Sequence, residues 1–357
     1  MNSEFLLNIV VWYYFLLVIS VVYFAFVFFK KKQENPLFFN LIVFIWIFFS
    51  VCLLGLRDSS IGTDSENYRD MYEMATRGEG YENFNVEYLF YILMTLCGVF
   101  DNYHIFFLLV HLIFIFSLIY FLKLNFRYFS FVFLIYLSTF YYYNLSINII
   151  RNSLAIPFWL ISIYFFETKR WVRGGLLFSV SVLFHLSGFF ILFAYLLSKF
   201  SSVPKLVILW VVVSFFSAIN LDILITLLEA TPLGEILPLL RYSVYVDNKE
   251  ITDYIVGFRL DFWAINFLFI LYLYMTKSLI EGSVWVRLFL GLSILSVFAY
   301  QFPYSDRTSL FSWFLIPFII FDELDKVNSK IEIIFFKTIS VCILLSCFSF
   351  LLFSRSI

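Results

Sequence analysis

Tyr88-Leu89-Phe90-Tyr91-Ile92-Leu93-Met94-Thr95-Leu96-Cys97-Gly98-Val99-Phe100, closed by Asp101-Asn102, decides how the rest of the chain is threaded. The stretch is apolar but short, because a helix crossing the hydrocarbon core needs about 20 residues. Read as a helix lying in the membrane interface, it leaves the chain on the side from which it came. The next apolar run, 105–122, then delivers Lys123 and Arg127 to the opposite side. The run 149–166 delivers Lys169, Arg170 and Arg173 to that same side, and 189–197 leads to Lys199 and Lys205. Lys30-Lys31-Lys32, after a first run at 6–29, falls there too. Cytoplasmic loops carry an excess of Lys and Arg, so the shared side is the cytoplasm. Counting 88–100 as a full span would turn all three later basic clusters outward.

Working outward from this helix, apolar runs at 6–29, 37–56, 105–122, 128–143, 149–166, 174–184, 189–197, 206–219, 260–275, 284–300, 309–321 and 333–353 predict about 12 transmembrane helices. The expected fold class is an all-α polytopic integral membrane protein, with residues 1–357 forming a single transmembrane domain. Two long polar segments, 57–87 and 220–258, fall on the extracytoplasmic side. The second holds Pro232, Gly234 and Pro238 and reads as short interfacial helices. Composition points the same way: 62% of residues are hydrophobic and 14% charged, against about 25% charged in soluble domains. A soluble chain of 357 residues would predict two or three domains; here the length predicts one helical bundle. A net charge of −1 excludes a nucleic-acid binder that rests on bulk electrostatics. The 51 Phe and 24 Tyr fit lipid-facing bulk and interfacial belts. Cys52, Cys97, Cys342 and Cys347 are scattered in apolar runs without metal spacing, and read as small buried side chains. The first run is too long for a cleavable signal, and lysines follow it where a cleavage site would stand.

The cations are sorted by type. In this threading the cytoplasmic loops hold mostly Lys, whereas the outer side holds Arg57, Arg69, Arg77, Arg151, Arg241, Arg259 and Arg307, with Lys249 the main exception. Topology signalling depletes outer loops of cations, so retained arginines suggest a task that lysine cannot do. A guanidinium fork grips phosphate or carboxylate at two points. Arg69 and Arg77 have acidic neighbours in their own loop, and mutual pairing is their expected role. Arg151 opens a strongly apolar helix and has no acid nearby in sequence.

Four constellations carry candidate chemistry. In Arg57-Asp58-Ser59-Ser60-Ile61-Gly62-Thr63-Asp64-Ser65-Glu66-Asn67-Tyr68, Gly62 permits a tight turn and Asp64 or Thr63 can cap the helix that follows. Alternatively Asp64 sits at the membrane mouth as an acid–base group or a ligand for sugar hydroxyls, since a partly dehydrated carboxylate gains pKa. Asn148-Ile149-Ile150-Arg151-Asn152-Ser153-Leu154-Ala155 begins a helix at the outer face, where a charge costs less than at the bilayer centre; an anionic ligand is expected at Arg151. His185, at an outer turn with Ser187 and Gly188, is either a packed helix residue or a general base of near-neutral pKa. Arg259 with Asp261, and Tyr304-Ser305-Asp306-Arg307, either pair internally or converge with Arg151 as a pyrophosphate clamp. Glu87 and Glu82, ahead of the interfacial helix, are reserve acids. His104 and His111 share one helix face without a third ligand, so neither a metal nor a cofactor is expected.

Taken in order, Leu56-Arg57, Gly62-Thr63-Asp64 and Tyr68, then Ile150-Arg151-Asn152-Ser153-Leu154-Ala155, then Leu183-Phe184-His185-Leu186-Ser187 resemble the EpsG-like branch of the bacterial O-antigen and exopolysaccharide polymerases, the Wzy family. The likeness runs from about residue 50 to 200. The last third resembles the family in hydropathy and in the outer Arg307, and Arg-Gln is common there where this chain has Arg151-Asn152. The resemblance implies a GT-C-like bundle, a glycosyltransferase that joins lipid-linked repeat units on the outer face of the bacterial cytoplasmic membrane. It further implies a glycan on undecaprenyl diphosphate as donor, a second lipid-linked unit as acceptor, and a chain-length regulator as a candidate protein partner. Asp64, His185 and Glu87 are then the candidate acid–base residues. Arg57, Arg151, Asn152, Arg259, Arg307 and Tyr68 are the candidate pyrophosphate and sugar contacts. A ligase or a flippase of the same pathway is the alternative; a flippase would show charges inside its spans and two pseudo-repeated halves, whereas here most charges lie in outer loops and the halves differ, which counts against it.

Overall fold

The computed structural model describes residues 36–84, 86–126, 129–219, 257–276, 278–300 and 305–326, and among them it is helical without strands. The expected spans at 6–29 and 333–353, and almost all of the polar segment 220–258, lie outside the described residues. The helices are α1 (Pro36–Ser50), which runs on as a π turn (Val51–Gly55), α2 (Ser65–Thr76), α3 (Tyr88–Cys97), α4 (Tyr103–Asn125), α5 (Phe129–Leu137), α6 (Phe140–Ile147) and α7 (Ile150–Glu167). They continue with α8 (Trp171–Phe184), α9 (Gly188–Phe200), α10 (Val203–Ile219), α11 (Leu260–Met275), α12 (Val284–Ala299), α13 (Ser305–Phe314) and α14 (Ile316–Lys326). The chain forms two compact units, Met1–Gly188 with Ile320–Ile357, and Phe189–Ile319. By length and apolarity, α4 is able to cross a bilayer, and α6 with α7 passes the same test as one bent pair; several other helices are apolar but shorter. Apolar helices without strands among the described residues are consistent with a membrane protein.

The stretch 88–100 folds as the short element its length predicts. Phe90, Met94 and Cys97 recur at helical spacing and are buried, while Tyr88, Leu96, Val99 and Phe100 are exposed. A 3-10 turn, Gly98–Phe100, tightens its end, and Asp101 stops it with a left-handed backbone, φ 47°. The Asn102 side chain then caps α4 by accepting from His104 N at 3.0 Å. The buried face of α3 packs with Tyr68 and Tyr72 of α2, Phe106, Phe107 and Val110 of α4, Leu154 and Ala155 of α7, and Phe184 of α8. This core fixes the N-terminus of α3, and with it Glu87.

The expected continuous span at 128–143 is not formed. The helix stops after Leu137 and restarts as α6 at Phe140, and α6 meets α7 at 118°. The first break is local chemistry: the Ser138 and Thr139 hydroxyls donate back to Ile135 O and Tyr136 O at 2.8 and 2.6 Å, and Thr139 then caps α6. Such back-bonding competes with the helix ladder. At the second bend the Ile147 carbonyl accepts from Arg57 Nη2 at 3.1 Å and from Ser65 Oγ at 3.3 Å, while Asn148 Oδ1 accepts from Thr63 N at 2.8 Å. The 57–65 turn thus docks on the bend and supplies bonds that a helix end leaves open.

Gly62 makes that docking possible. Its φ is +99°, and a Cβ there would run into the Ile147 side chain and the Asn148 amide. Gly62→Ala is expected to cost at least about 1–3 kcal/mol, the scale of a strained backbone position, with the steric clash added to it. A clear drop in the thermal midpoint of the detergent-solubilised protein checks this; an unchanged midpoint would contradict the docking.

In the second unit, Gly291 of α12 lets the Ala194 carbonyl of α9 approach to where a Cβ would lie at 2.9 Å, the small-residue contact by which apolar helices pack closely. Asn266 of α11 accepts from Ser312 Oγ and Trp313 Nε1 of α13, both at 3.2 Å.

Candidate active site

Glu87 is the N-cap of α3, with extended backbone (φ −79°, ψ 152°), yet its carboxylate does not cap its own helix. It reaches instead to two other helix ends. Oε2 accepts from Arg151 Nη1 at 2.9 Å; Oε1 accepts from His185 Nδ1 at 2.9 Å and from Leu186 N at 3.1 Å. Arg151 stands in the first turn of α7, where the helix dipole disfavours a cation, and Glu87 supplies the compensating charge. The Tyr68 side chain, from α2, also hydrogen-bonds Arg151, and its ring meets Phe90 edge-on at 5.9 Å. One residue on, Asn152 Oδ1 accepts from Ser187 Oγ at 2.7 Å, so the start of α7 is tied both to Glu87 and to the turn after α8.

That turn forms because α8 ends at His185, whose backbone is extended while its N–H still bonds Ser181 O at 2.9 Å. Ser181 Oγ donates to Ala155 O at 2.9 Å and holds α8 against α7. Burial of Glu87 works to raise its pKa. The His185 hydrogen bond and charge, the Arg151 guanidinium and the Leu186 amide outweigh burial and hold the carboxyl at about 2. An ionised carboxylate only accepts, so a His185 proton faces it from Nδ1, and in the neutral form of the ring the lone pair is then on Nε2. Cation and imidazole are therefore held on separate oxygens of one buried carboxylate.

The depressed pKa of Glu87 predicts an acid limb in stability. A carboxyl titrating at about 2 when folded and about 4.5 when free contributes stability that is complete above about 4.5 and is lost as pH falls toward 2. Acid unfolding followed by circular dichroism is expected to show this loss in the wild type. Glu87→Gln is expected to be less stable at neutral pH and flatter across that window; equal slopes would count against the ionised assignment.

Of the residues singled out in sequence, Glu87, Arg151, His185, Asn152 and Tyr68 are brought together. Sequence reading ranked Asp64 ahead of Glu87, but the carboxylate that bonds both Arg151 and His185 is Glu87. Asp64 is the N-cap of α2 without a side-chain cap bond, and its Oδ1 lies 3.4 Å from Thr63 Oγ1. Arg57, a candidate substrate contact in sequence, is held as a staple between the 57–65 turn and the α6–α7 bend. It is buried, with donors going to Leu54 O at 2.9 Å, Ile147 O at 3.1 Å and Ser65 Oγ at 3.2 Å, and its guanidinium lies 4.1 Å from the Phe107 ring centre. Arg259 donates twice to Asp261, at 3.1 and 2.8 Å, and covers Phe262 at 3.8 Å, the internal pairing weighed above. Arg307 is half-buried in the first turn of α13. Both belong to the second unit, whereas Arg151 belongs to the first. Arg69 and Arg77 pair with Asp70 and Glu73 as expected. His104 Nδ1 meets Arg57 O and His111 Nε2 meets Ser50 Oγ, each at 3.0 Å.

With this geometry in place, the comparison with known families is decisive. The profile of the EpsG family matches residues 40–356. The chain belongs to the EpsG family. No curated protein and no solved structure matches it. EpsG membership points to a polymerase-like role in polysaccharide synthesis, to glycosyltransferase activity in general, and to a membrane protein. The matched range covers Gly62, Glu87, Arg151 and His185 alike, so the site lies wholly inside the EpsG homology.

Proposed function

We propose that this EpsG-family chain is a GT-C-type polysaccharide polymerase. It joins undecaprenyl-diphosphate-linked repeat units by glycosyl transfer on the outer face of the cytoplasmic membrane. The observation that carries the reading is the Glu87 carboxylate holding Arg151 on one oxygen and His185 on the other. Transfer from a lipid diphosphate needs those two functions together. The acceptor hydroxyl oxygen bonds to the donor anomeric carbon, and the bond from that carbon to the diphosphate oxygen breaks. Its electron pair leaves on the diphosphate, whose charge Arg151 is suited to stabilise. The hydroxyl proton goes to His185 Nε2, and Glu87 stabilises the resulting imidazolium through Nδ1. Proton transfer of this kind contributes about 10²–10⁴-fold. Asn152 and Tyr68 flank the cation and supply polar groups for the diphosphate or the first sugar. The arginine-bearing loops on the lysine-poor side of the threading support the outer face as the site of action.

The deciding experiment is a reaction with purified protein and purified lipid-linked repeat unit. Growth of chains by whole repeats supports polymerisation. Transfer of preformed polymer onto another lipid would make the chain a ligase. Movement of the unit across vesicles without bond formation would make it a flippase.

A further inference from the structure

Glu87 divides one carboxylate between neighbours of different kinds. Arg151 Nη1 is 2.9 Å from Oε2; His185 Nδ1 is 2.9 Å and Leu186 N 3.1 Å from Oε1. The Glu87 side chain is 6% exposed, against 17% for Arg151 and 20% for His185. Its charge is therefore shared mainly with these groups and little with water, whereas both partners are less completely buried. The charged and titratable groups facing it are Arg151 from α7 and His185 at the end of α8; Tyr68 of α2 reaches it through Arg151. Two cationic donors on one buried carboxylate divide its charge, so drawing one away leaves more of it for the other.

We propose that Glu87 is a positioning residue that makes the base strength of His185 depend on whether a diphosphate occupies Arg151. The inference rests on the reading of Arg151 as the diphosphate cation. In the empty site Arg151 neutralises part of the carboxylate, and the imidazole faces a divided charge. When diphosphate oxygens take the guanidinium donors, the charge of Glu87 falls to His185. An imidazolium beside an undivided carboxylate is better stabilised, so Nε2 accepts the acceptor hydroxyl proton more readily. The proton moves from hydroxyl oxygen to Nε2, and no further reactant is required. The base is thus weaker until the leaving group is seated, which suppresses activation of water in an unloaded site.

The test follows the ring nitrogens of His185 by NMR across pH, using the full chain with ¹⁵N-labelled histidine in lipid nanodiscs. His185→Gln assigns the signal, and inorganic pyrophosphate is the probe. In the wild type, saturating pyrophosphate is expected to raise the His185 titration midpoint by about one pH unit, the scale of a nearby opposite charge. Glu87→Gln is expected to bind pyrophosphate by calorimetry without that rise. Arg151→Gln is expected to start with the raised midpoint and not to respond. Binding to the wild type with no movement of the midpoint overturns the coupling and leaves the functional reading standing. So does an equal rise in Glu87→Gln, which would trace the effect to the anion's own field. Failure of the wild type to bind pyrophosphate at millimolar concentration overturns both. Should one variant not fold, the wild-type titration and the other variant still decide.

Discussion

Glu87→Ala is expected to abolish polymer synthesis and to lower stability by about 3–5 kcal/mol, the cost of leaving a buried ion-pair partner uncompensated. The size of the effect follows from how many bonds converge on this carboxylate. Its removal strands the Arg151 guanidinium in the first turn of α7, releases His185 Nδ1, and leaves the Leu186 amide without its acceptor. Arg151 and His185 lose their shared partner at once. Glu87→Gln keeps the shape and one acceptor oxygen, so it is expected to fold better than the alanine variant while remaining severely impaired. Surface glycan length on gels, read beside protein level and thermal unfolding in detergent, separates the two losses. Normal chain lengths in Glu87→Ala would remove this carboxylate from the reaction.

Arg151→Ala is expected to leave surface glycans capped with a single repeat unit, a loss of at least about 10²–10³-fold in chain extension, the scale seen when one preorganised charge-stabilising donor is removed. Its structural cost is smaller than that of Glu87→Ala. The carboxylate keeps His185 and the Leu186 amide, and the first turn of α7 sheds a cation that its dipole disfavours. Arg151→Lys retains charge but not the two-pronged fork, and is expected to recover only a small part of the activity. An Arg151→Ala strain with full-length chains and normal protein level would show that Arg151 serves packing alone.

Several parts of the site were legible before any coordinates. The turn at Gly62, the helix opening at Arg151 and the break at His185 each follow from short-range rules: a glycine with positive φ, an apolar run beginning after a polar cluster, a polar interruption before Ser187-Gly188. The short helix α3 was legible because its apolar run is bounded by polar residues at both ends and is too short to span a bilayer. What sequence reading did not give was which carboxylate meets Arg151 and His185. Asp64 sits in the more conspicuous motif, and Glu87 carries only the weak signal of an acid at the start of an apolar helix. Arg57 is a related case. A cation beside a polar loop looks available, and only the packing of the π turn and of the α6–α7 bend shows that the Leu54 and Ile147 carbonyls accept from it.

The amino-acid sequence alone determined the class of the protein, its alternation of apolar runs and basic loops, the turns at Gly62 and His185, and its family resemblance. All of these are set by periodicity, chain length and local backbone preference, which act over a few residues. Tertiary structure decided the pairing of Glu87 with Arg151, 64 residues apart, and with His185, 98 residues apart. It also decided the conversion of the Arg57 motif into a staple. Charge pairing depends on which helix ends the packed core around Phe90 brings together, and no local pattern encodes that distance.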